Sequence, residues 1–372
     1  MIVGVPTEIK DGEQRVAITP DGVATLTSDG HRVLVQAGAG AGAGIDDDQF
    51  ASAGAVTVPS AEEVWGTSDL VLKVKEPVPQ EYPLLRRGQV LFTYLHLAAG
   101  RELTLALLES GIVAIGYETV QLDNGTLPLL VPMSEVAGRL AVQAGARALE
   151  AHSGGRGILL GGVPGVAPAD VAIIGAGVVG SNACTIAMGM RANVTVLDKS
   201  HDRLRYVQDT MHGNVITVIA TPLSVARAVS YADLVIGAVL VPGASAPRLV
   251  TEAMVAAMKP GAAIVDVAID QGGCVETMRP TSHSNPVFIH SGVVHYGVTN
   301  MPAAVPRTST WALTNATMPY AQALAALSWE RAAALDPALR RGIQIVDGQV
   351  VYDAVAQSLN LPLGSLPASV AS

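Results

Sequence analysis

Short runs rich in valine and isoleucine alternate along the chain with longer segments whose apolar positions recur at helical spacing. The runs 2–6, 31–36, 69–75, 89–95 and 112–117 predict one series of strands. A second series is predicted at 171–175, 193–198, 215–219, 233–240 and 263–270. Between them, 20–29, 101–110, 178–190 and 221–231 read as helices. The strand runs are apolar at successive positions, so they suit parallel strands covered on both faces. Strands alternating with helices imply an α/β protein with right-handed crossovers. The expected fold is two Rossmann-like, doubly wound parallel-sheet domains.

The alternation breaks at 124–135, where Pro128 and Pro132 interrupt it. Ser134, followed by Glu135, suits the cap of a helix reaching about residue 152. The second series closes near 301–306, and the alanine-rich stretch 308–329 reads as a helix returning to the first series. Residues 1–128 and 307–372 are therefore expected to form one domain, with 129–306 inserted as a second. A cleft is expected at the joint. The run AGAGAGAG at 37–44 reads as a flexible connection in preference to a phosphate loop.

Composition narrows the function classes. With 23 Lys+Arg against 32 Asp+Glu, the net charge of −9 argues against a nucleic-acid binder, which needs a basic face. Apolar residues at 49% and charged ones at 15% exclude a disordered chain. The most apolar stretch, 158–182, is broken by Pro164, Pro168 and Asp170, so no membrane-spanning run is expected. The residues after Met1 lack a signal-peptide core, and a cytoplasmic location is expected. Cys184 and Cys274 form neither a disulfide framework nor a metal spacing. No histidine–carboxylate set has zinc-site spacing, and there is no G-x-S-x-G elbow.

The sharpest local signal is VAIIGAGVVG, in which Gly175, Gly177 and Gly180 supply G-x-G-x-x-G between a strand and a helix. The first glycine permits the tight turn, the second lets a pyrophosphate approach the backbone, and the third lets helix and sheet pack closely. The helix N-terminus then offers free N–H groups to phosphate. Asp198 ends the next strand, 23 residues beyond Gly175, where a carboxylate accepts from ribose hydroxyls and repels a 2′-phosphate. NAD is therefore expected over NADP. Three polar groups also close apolar runs: Lys75, His96 and Asp270. Singly, each suits a surface lysine, a satisfied histidine or a turn cap. Together they fall where open α/β sheets bind ligands, beyond the carboxyl ends of strands.

Over nearly its whole length the sequence closely resembles the bacterial NAD-dependent alanine dehydrogenases. The resemblance rests on VPTE (5–8), RVAITPDGV (15–23), VLKVKEP (71–77), LFTYLHLAA (91–99), GYETVQ (116–121) and PMSEVAGRLAVQ (132–143). It continues through GGVPGV (161–166), GAGVVGSNA (175–183), VLVPGASAP (239–247), VDVAIDQGGCVE (265–276) and 300–320. A weaker resemblance extends to the NAD-binding component of proton-pumping transhydrogenase, which would make the chain a non-catalytic NAD-binding module.

The resemblance implies reversible oxidative deamination of L-alanine to pyruvate and ammonium, with a homohexameric assembly. It implies that Arg15 and Lys75 hold the substrate and that His96 and Asp270 serve as acid and base. It places cofactor contacts at Ser134, Val178, Val179, Asp198, Arg203, Val239, Leu240, Val267, Ala268, Ile269, Asp270, Arg279, Val298, Thr299, Asn300 and Met301. By themselves, Val239, Leu240 and Val267 equally suit a buried core, Arg203 and Arg279 a solvated face, and Ser134 a helix cap. Two positions depart from the family pattern. Ala220 stands where a serine is common, and Ala323 with Leu327 replace an acid and a histidine that hold magnesium in some members. No metal site is expected.

Overall fold

The computed structural model describes residues 1–239 and 246–371. The chain divides into two compact units, Met1–Met133 with Val305–Ser372, and Ser134–Ala304. In the first unit six parallel strands, β1 (Ile2–Val5), β2 (Arg32–Gln36), β3 (Val56–Val58), β4 (Leu70–Leu72), β5 (Val90–Thr93) and β6 (Val113–Gly116), lie in the order β3-β2-β1-β4-β5-β6. The second unit carries β7 (Asp170–Ile174), β8 (Asn193–Asp198), β9 (Val215–Ile219), β10 (Leu234–Gly237), β11 (Ala263–Asp266), β12 (Val287–His290) and β13 (Val293–Tyr296). Its parallel strands repeat the same winding, β9-β8-β7-β10-β11-β13. Both are doubly wound sheets whose order reverses beside the first strand, and the crevice beyond that reversal is where such sheets bind ligands.

Among the described residues the pattern of apolar runs revealed one sheet edge, β9 at 215–219, and missed the others. β3 is a three-residue strand, and β12 is an antiparallel edge paired with β13. The strands β14 (Ile343–Val346) and β15 (Gln349–Val350) extend the first sheet antiparallel beyond β6. The two hairpins were not among the sequence expectations. Ser291-Gly292 and Asp347-Gly348 each place both residues at positive φ, the geometry of a two-residue type I′ connection.

Three predicted strands stop short of the polar groups expected to close them. β4, β5 and β11 stop at Leu72, Thr93 and Asp266, so Lys75, His96 and Asp270 lie in the following loops. The reason is common to all three: a carboxylate takes the backbone N–H groups that would have continued the ladder. Glu8 accepts from Val74 at 2.6 Å and Lys75 at 3.3 Å. Glu118 accepts from Leu95 at 3.1 Å and His96 at 2.9 Å. Asp266 accepts from Ala268 at 3.1 Å and starts the 3-10 turn Val267–Gln271.

Other boundaries shift as well. Ser134 is not a cap, because the helix begins three residues earlier and runs Val131–Ala148. Pro132 is compatible with that first turn, where its missing N–H is not needed. The returning helix is Pro306–Leu327. The alanine-glycine run forms a 3-10 turn, Ala41–Ala43, closed by Gly44 in the left-handed region, and Gly38 N–H donates to Asp47 at 2.9 Å. Among the described residues no helix is long and apolar enough to cross a membrane.

Lys73, two residues before Lys75, is 1% exposed. Its ammonium lies 3.1 Å from Glu8 and 2.8 Å from Glu81, both also buried. Burial alone would depress the lysine, but the two carboxylates outweigh it and hold the ammonium above its ordinary range. Removing one member of a buried charge set leaves the others without compensation. Lys73→Met should cost about 3–5 kcal/mol of stability, read from the denaturation midpoint. Adding Glu81→Gln should recover part of that loss; an unmoved midpoint in Lys73→Met would show the triad to be dispensable.

Candidate functional site

In the first unit the loops after β1, β4 and β5 bring charged groups to the point where the strand order reverses. Arg15 is 2% exposed and gripped by Glu13, with Nε donating to Oε1 at 2.6 Å and Nη2 bonded to Oε2. Its Nη1 lies 3.0 Å from the Met133 sulfur. Burial opposes the guanidinium's charge, and Glu13 more than offsets this. Arg15, Glu8 and Glu13 line a concavity of about 410 Å³ whose far wall is the Gly38–Gly42 turn.

Lys75 is half-buried, and its ammonium sits 6.0 Å over the Tyr94 ring. Burial first, and then the Arg15 charge, push its pKa below the ordinary lysine value. A cation pair held in this way favours an anion. The Tyr94 ring also lies parallel to His96, with centroids 5.8 Å apart. Burial raises the Tyr94 phenol well above its usual range, so it remains a donor, bonded to the Leu129 carbonyl at 2.6 Å. His96 is exposed and its backbone is left-handed, at φ 51°. That conformation costs a non-glycine residue on the order of 1–3 kcal/mol and persists only where its surroundings impose it. Arg15, Lys75 and His96 are thus gathered around Tyr94.

In the second unit the glycine turn joins β7 to the helix Val178–Gly189. Gly175 has φ 109°, and a Cβ at Gly180 would lie 1.8 Å from the Gly175 carbonyl oxygen, so no larger residue fits the third position. Beside Gly177, a Cβ would meet nothing within 4 Å, leaving room for a phosphate against the helix N-terminus at Val178 and Val179. Asp198 ends β8 and accepts from Ala176 N–H at 2.7 Å and from Ser200 N–H at 2.8 Å. It therefore shapes the glycine turn, and a carboxylate retains further acceptor sites for ribose hydroxyls. These features fit a dinucleotide.

The remaining predicted cofactor contacts fall as follows. Ser134 lies in the first turn of its helix, and Gly138 one turn on is packed so closely that a Cβ would sit 2.2 Å from the Val179 carbonyl oxygen. Arg203 is exposed on the helix after β8. Val239 follows β10, and Leu240 lies outside the described residues. Val267, Ala268, Ile269 and Asp270 make up most of the 3-10 turn after β11, with Asp270 exposed and its carboxylate accepting from Asn300 N–H at 3.0 Å. Val298, Thr299, Asn300 and Met301 follow β13. Arg279 stacks on Phe288, 4.4 Å from the ring centre. At Ala220 no hydroxyl is available, and that of Thr221 is engaged as the cap of the next helix, accepting from Ser224 N–H at 3.1 Å.

The sequence reading missed Glu8, Glu13, Tyr94, Glu118 and Asp266. A signal existed for Glu8 and Glu118, which closely follow the apolar runs 2–6 and 112–117. Their partners, however, are named only by the fold.

Two family models cover most of the chain. "Alanine dehydrogenase/PNT, N-terminal domain" matches residues 4–137, and "Alanine dehydrogenase/PNT, C-terminal domain" matches residues 141–353. The chain is similar to the alanine dehydrogenase of Mycolicibacterium smegmatis, 57% identical over 97% of this chain and 98% of that protein. Among solved structures it is similar to an L-alanine dehydrogenase, at TM-score 0.94 and 51% identity over 97% of this chain and 99% of that one. A transhydrogenase from Sinorhizobium meliloti is more distant, at TM-score 0.82 and 25% identity over 95% and 100%. Two doubly wound units, a gathered cation pair in one, a glycine turn ended by an acid in the other, and likeness over almost the full length lead to one conclusion: the chain belongs to the alanine dehydrogenase/PNT family.

Proposed function

We infer that the chain is an alanine dehydrogenase, interconverting L-alanine, NAD⁺ and water with pyruvate, ammonium and NADH. The observation that carries this reading is the Arg15–Lys75 cation pair gathered with His96 around Tyr94, in a chain similar throughout to alanine dehydrogenases. Residues 1–128 with 307–372 take the substrate, and 129–306 take NAD. Bound NAD⁺ supplies the hydride acceptor.

The roles of the residues follow from their chemistry. Arg15 presents a rigid fork of N–H donors to the substrate carboxylate, and Glu13 fixes the angle of that fork. Lys75 offsets charge that builds on the substrate oxygen. Hydride leaves the alanine Cα as the amine becomes an imine, water adds, and ammonia is expelled. Proton transfers in these steps fall to His96 and Asp270. The cytoplasm and a homohexameric assembly complete the proposal.

The purified chain incubated with L-alanine and NAD⁺ should yield NADH and pyruvate in equal amounts. Binding of NAD⁺ with no NADH formed would instead favour a cofactor-binding module of the transhydrogenase kind.

Lys75 supplies a second expectation. Because burial and Arg15 lower its pKa, it sheds its proton at a pH below the 10.5 of a free lysine. Pyruvate binding in the presence of NAD should weaken as pH rises through that lowered value. Lys75→Arg, which stays charged, should abolish the alkaline limb; the same limb in both proteins would remove Lys75 from the site.

Asp198 supplies a third. Asp198→Asn keeps an acceptor for the glycine turn but removes the charge that repels a 2′-phosphate. The preference for NAD over NADP should narrow by roughly tenfold or more, since placing like charges together costs several kcal/mol. Equal use of NAD and NADP by the unaltered chain would overturn the assignment.

A further inference from the structure

We propose that Glu118 is a positioning residue for His96, holding the acid/base loop in its left-handed conformation through the backbone. The inference rests on the reading of His96 as an acid/base group. Glu118 lies in the 3-10 turn Tyr117–Thr119 that follows β6, the strand beside β5. Its two carboxylate oxygens divide the work. Oε2 accepts from Leu95 N–H at 3.1 Å, and Oε1 accepts from His96 N–H at 2.9 Å. These two amides stand where β5 has ended and His96 has turned to φ 51°. A charged acceptor taking two successive N–H groups makes each bond stronger than its neutral equivalent. The loop then continues into the 3-10 turn Leu97–Ala99, started by the His96 carbonyl accepting from Ala99 N–H at 3.1 Å.

The carboxylate is itself held from behind. Gln344, 1% exposed on β14, donates through Nε2 to Glu118 Oε1 at 2.8 Å and to Thr119 Oγ1 at 3.1 Å. The approach is possible only because residue 116 is glycine, since a Cβ there would lie 2.0 Å from Gln344 Nε2 and 3.0 Å from Glu118 Oε1. The chain Gln344–Glu118–His96 thus runs from the antiparallel edge strand to the loop. The edge hairpin that extends the parallel sheet acquires a role beyond covering β6. Reversing the Gln344 amide would turn its oxygen toward the carboxylate, so the donor assignment follows from the charge.

Glu118→Gln keeps the side chain's shape but replaces one acceptor oxygen with a donor facing an N–H group. With the fold intact by thermal unfolding, alanine-oxidising kcat should fall by up to roughly 10²-fold, the scale of a misplaced catalytic group, with NAD affinity unchanged. In a His96→Ala background the same substitution should have almost no further effect on kcat, because both changes act through one group. Should Glu118→Gln not fold, Gln344→Met is read instead, with a smaller loss of kcat that again disappears in the His96→Ala background. Unchanged kcat in the variant read, or losses that multiply with that of His96→Ala, overturns the proposal. Full activity in His96→Ala alone would overturn the acid/base reading itself, a separate result.

Discussion

Carboxylates that accept backbone N–H groups at the carboxyl ends of strands are the constraint on which both halves of this chain depend. Glu8 takes the amides of Val74 and Lys75, Glu118 those of Leu95 and His96, and Asp198 those of Ala176 and Ser200. Asp266, 1% exposed, takes those of Ala268, Cys274 and Val275. A loop leaving a parallel sheet loses its ladder partners, and an unpaired buried amide is costly. Water would satisfy it without fixing the loop. A charged acceptor satisfies two or three amides at once and sets their direction, which makes a loop an extension of the rigid sheet.

The cost of this device is the burial of the acids, and the structure handles it in different ways. Glu8 shares the buried Lys73 ammonium with Glu81. Asp266 has three N–H groups, yet burial still raises its pKa above that of a free carboxyl. Close packing around it leaves no room for side chains, since a Cβ on Gly237 would sit 2.8 Å from one of its oxygens. Such sites are sensitive because a partly satisfied buried polar network is worse than none.

The two units use one winding for opposite chemical ends. In the first, the loops at the strand-order reversal present polar side chains: the cations of Arg15 and Lys75 and the imidazole of His96. In the second, the corresponding turn after β7 presents backbone, stripped of side chains at Gly175, Gly177 and Gly180. A small carboxylate substrate suits the former and a pyrophosphate the latter. The fold is indifferent to which is installed, so the distinction lies wholly in the residues of a few loops.

The sequence by itself determined whatever depends on near neighbours. Apolar runs such as 193–198 and 215–219 and the alternating helices set the doubly wound class, because periodicity is a property of contiguous residues. The glycine turn and Asp198 were marked as candidates for the same reason, as were Lys75, His96 and Asp270 by their places at the ends of apolar runs, whereas Arg15 became a candidate only through the resemblance. Only the tertiary structure decided where strands end, which lysine is a structural charge and which lies over the Tyr94 ring, and what holds His96. Lys73 and Lys75 are alike in sequence, both closing an apolar run. Glu8, 65 residues from Lys73, captures that ammonium, while its backbone bonds end the strand before Lys75. Gln344 reaches Glu118 across 226 residues, and only after β14 has been laid antiparallel beside β6. No local pattern encodes such a pair, because its members meet by packing, and the energy that selects them exists only once the sheet has brought them together.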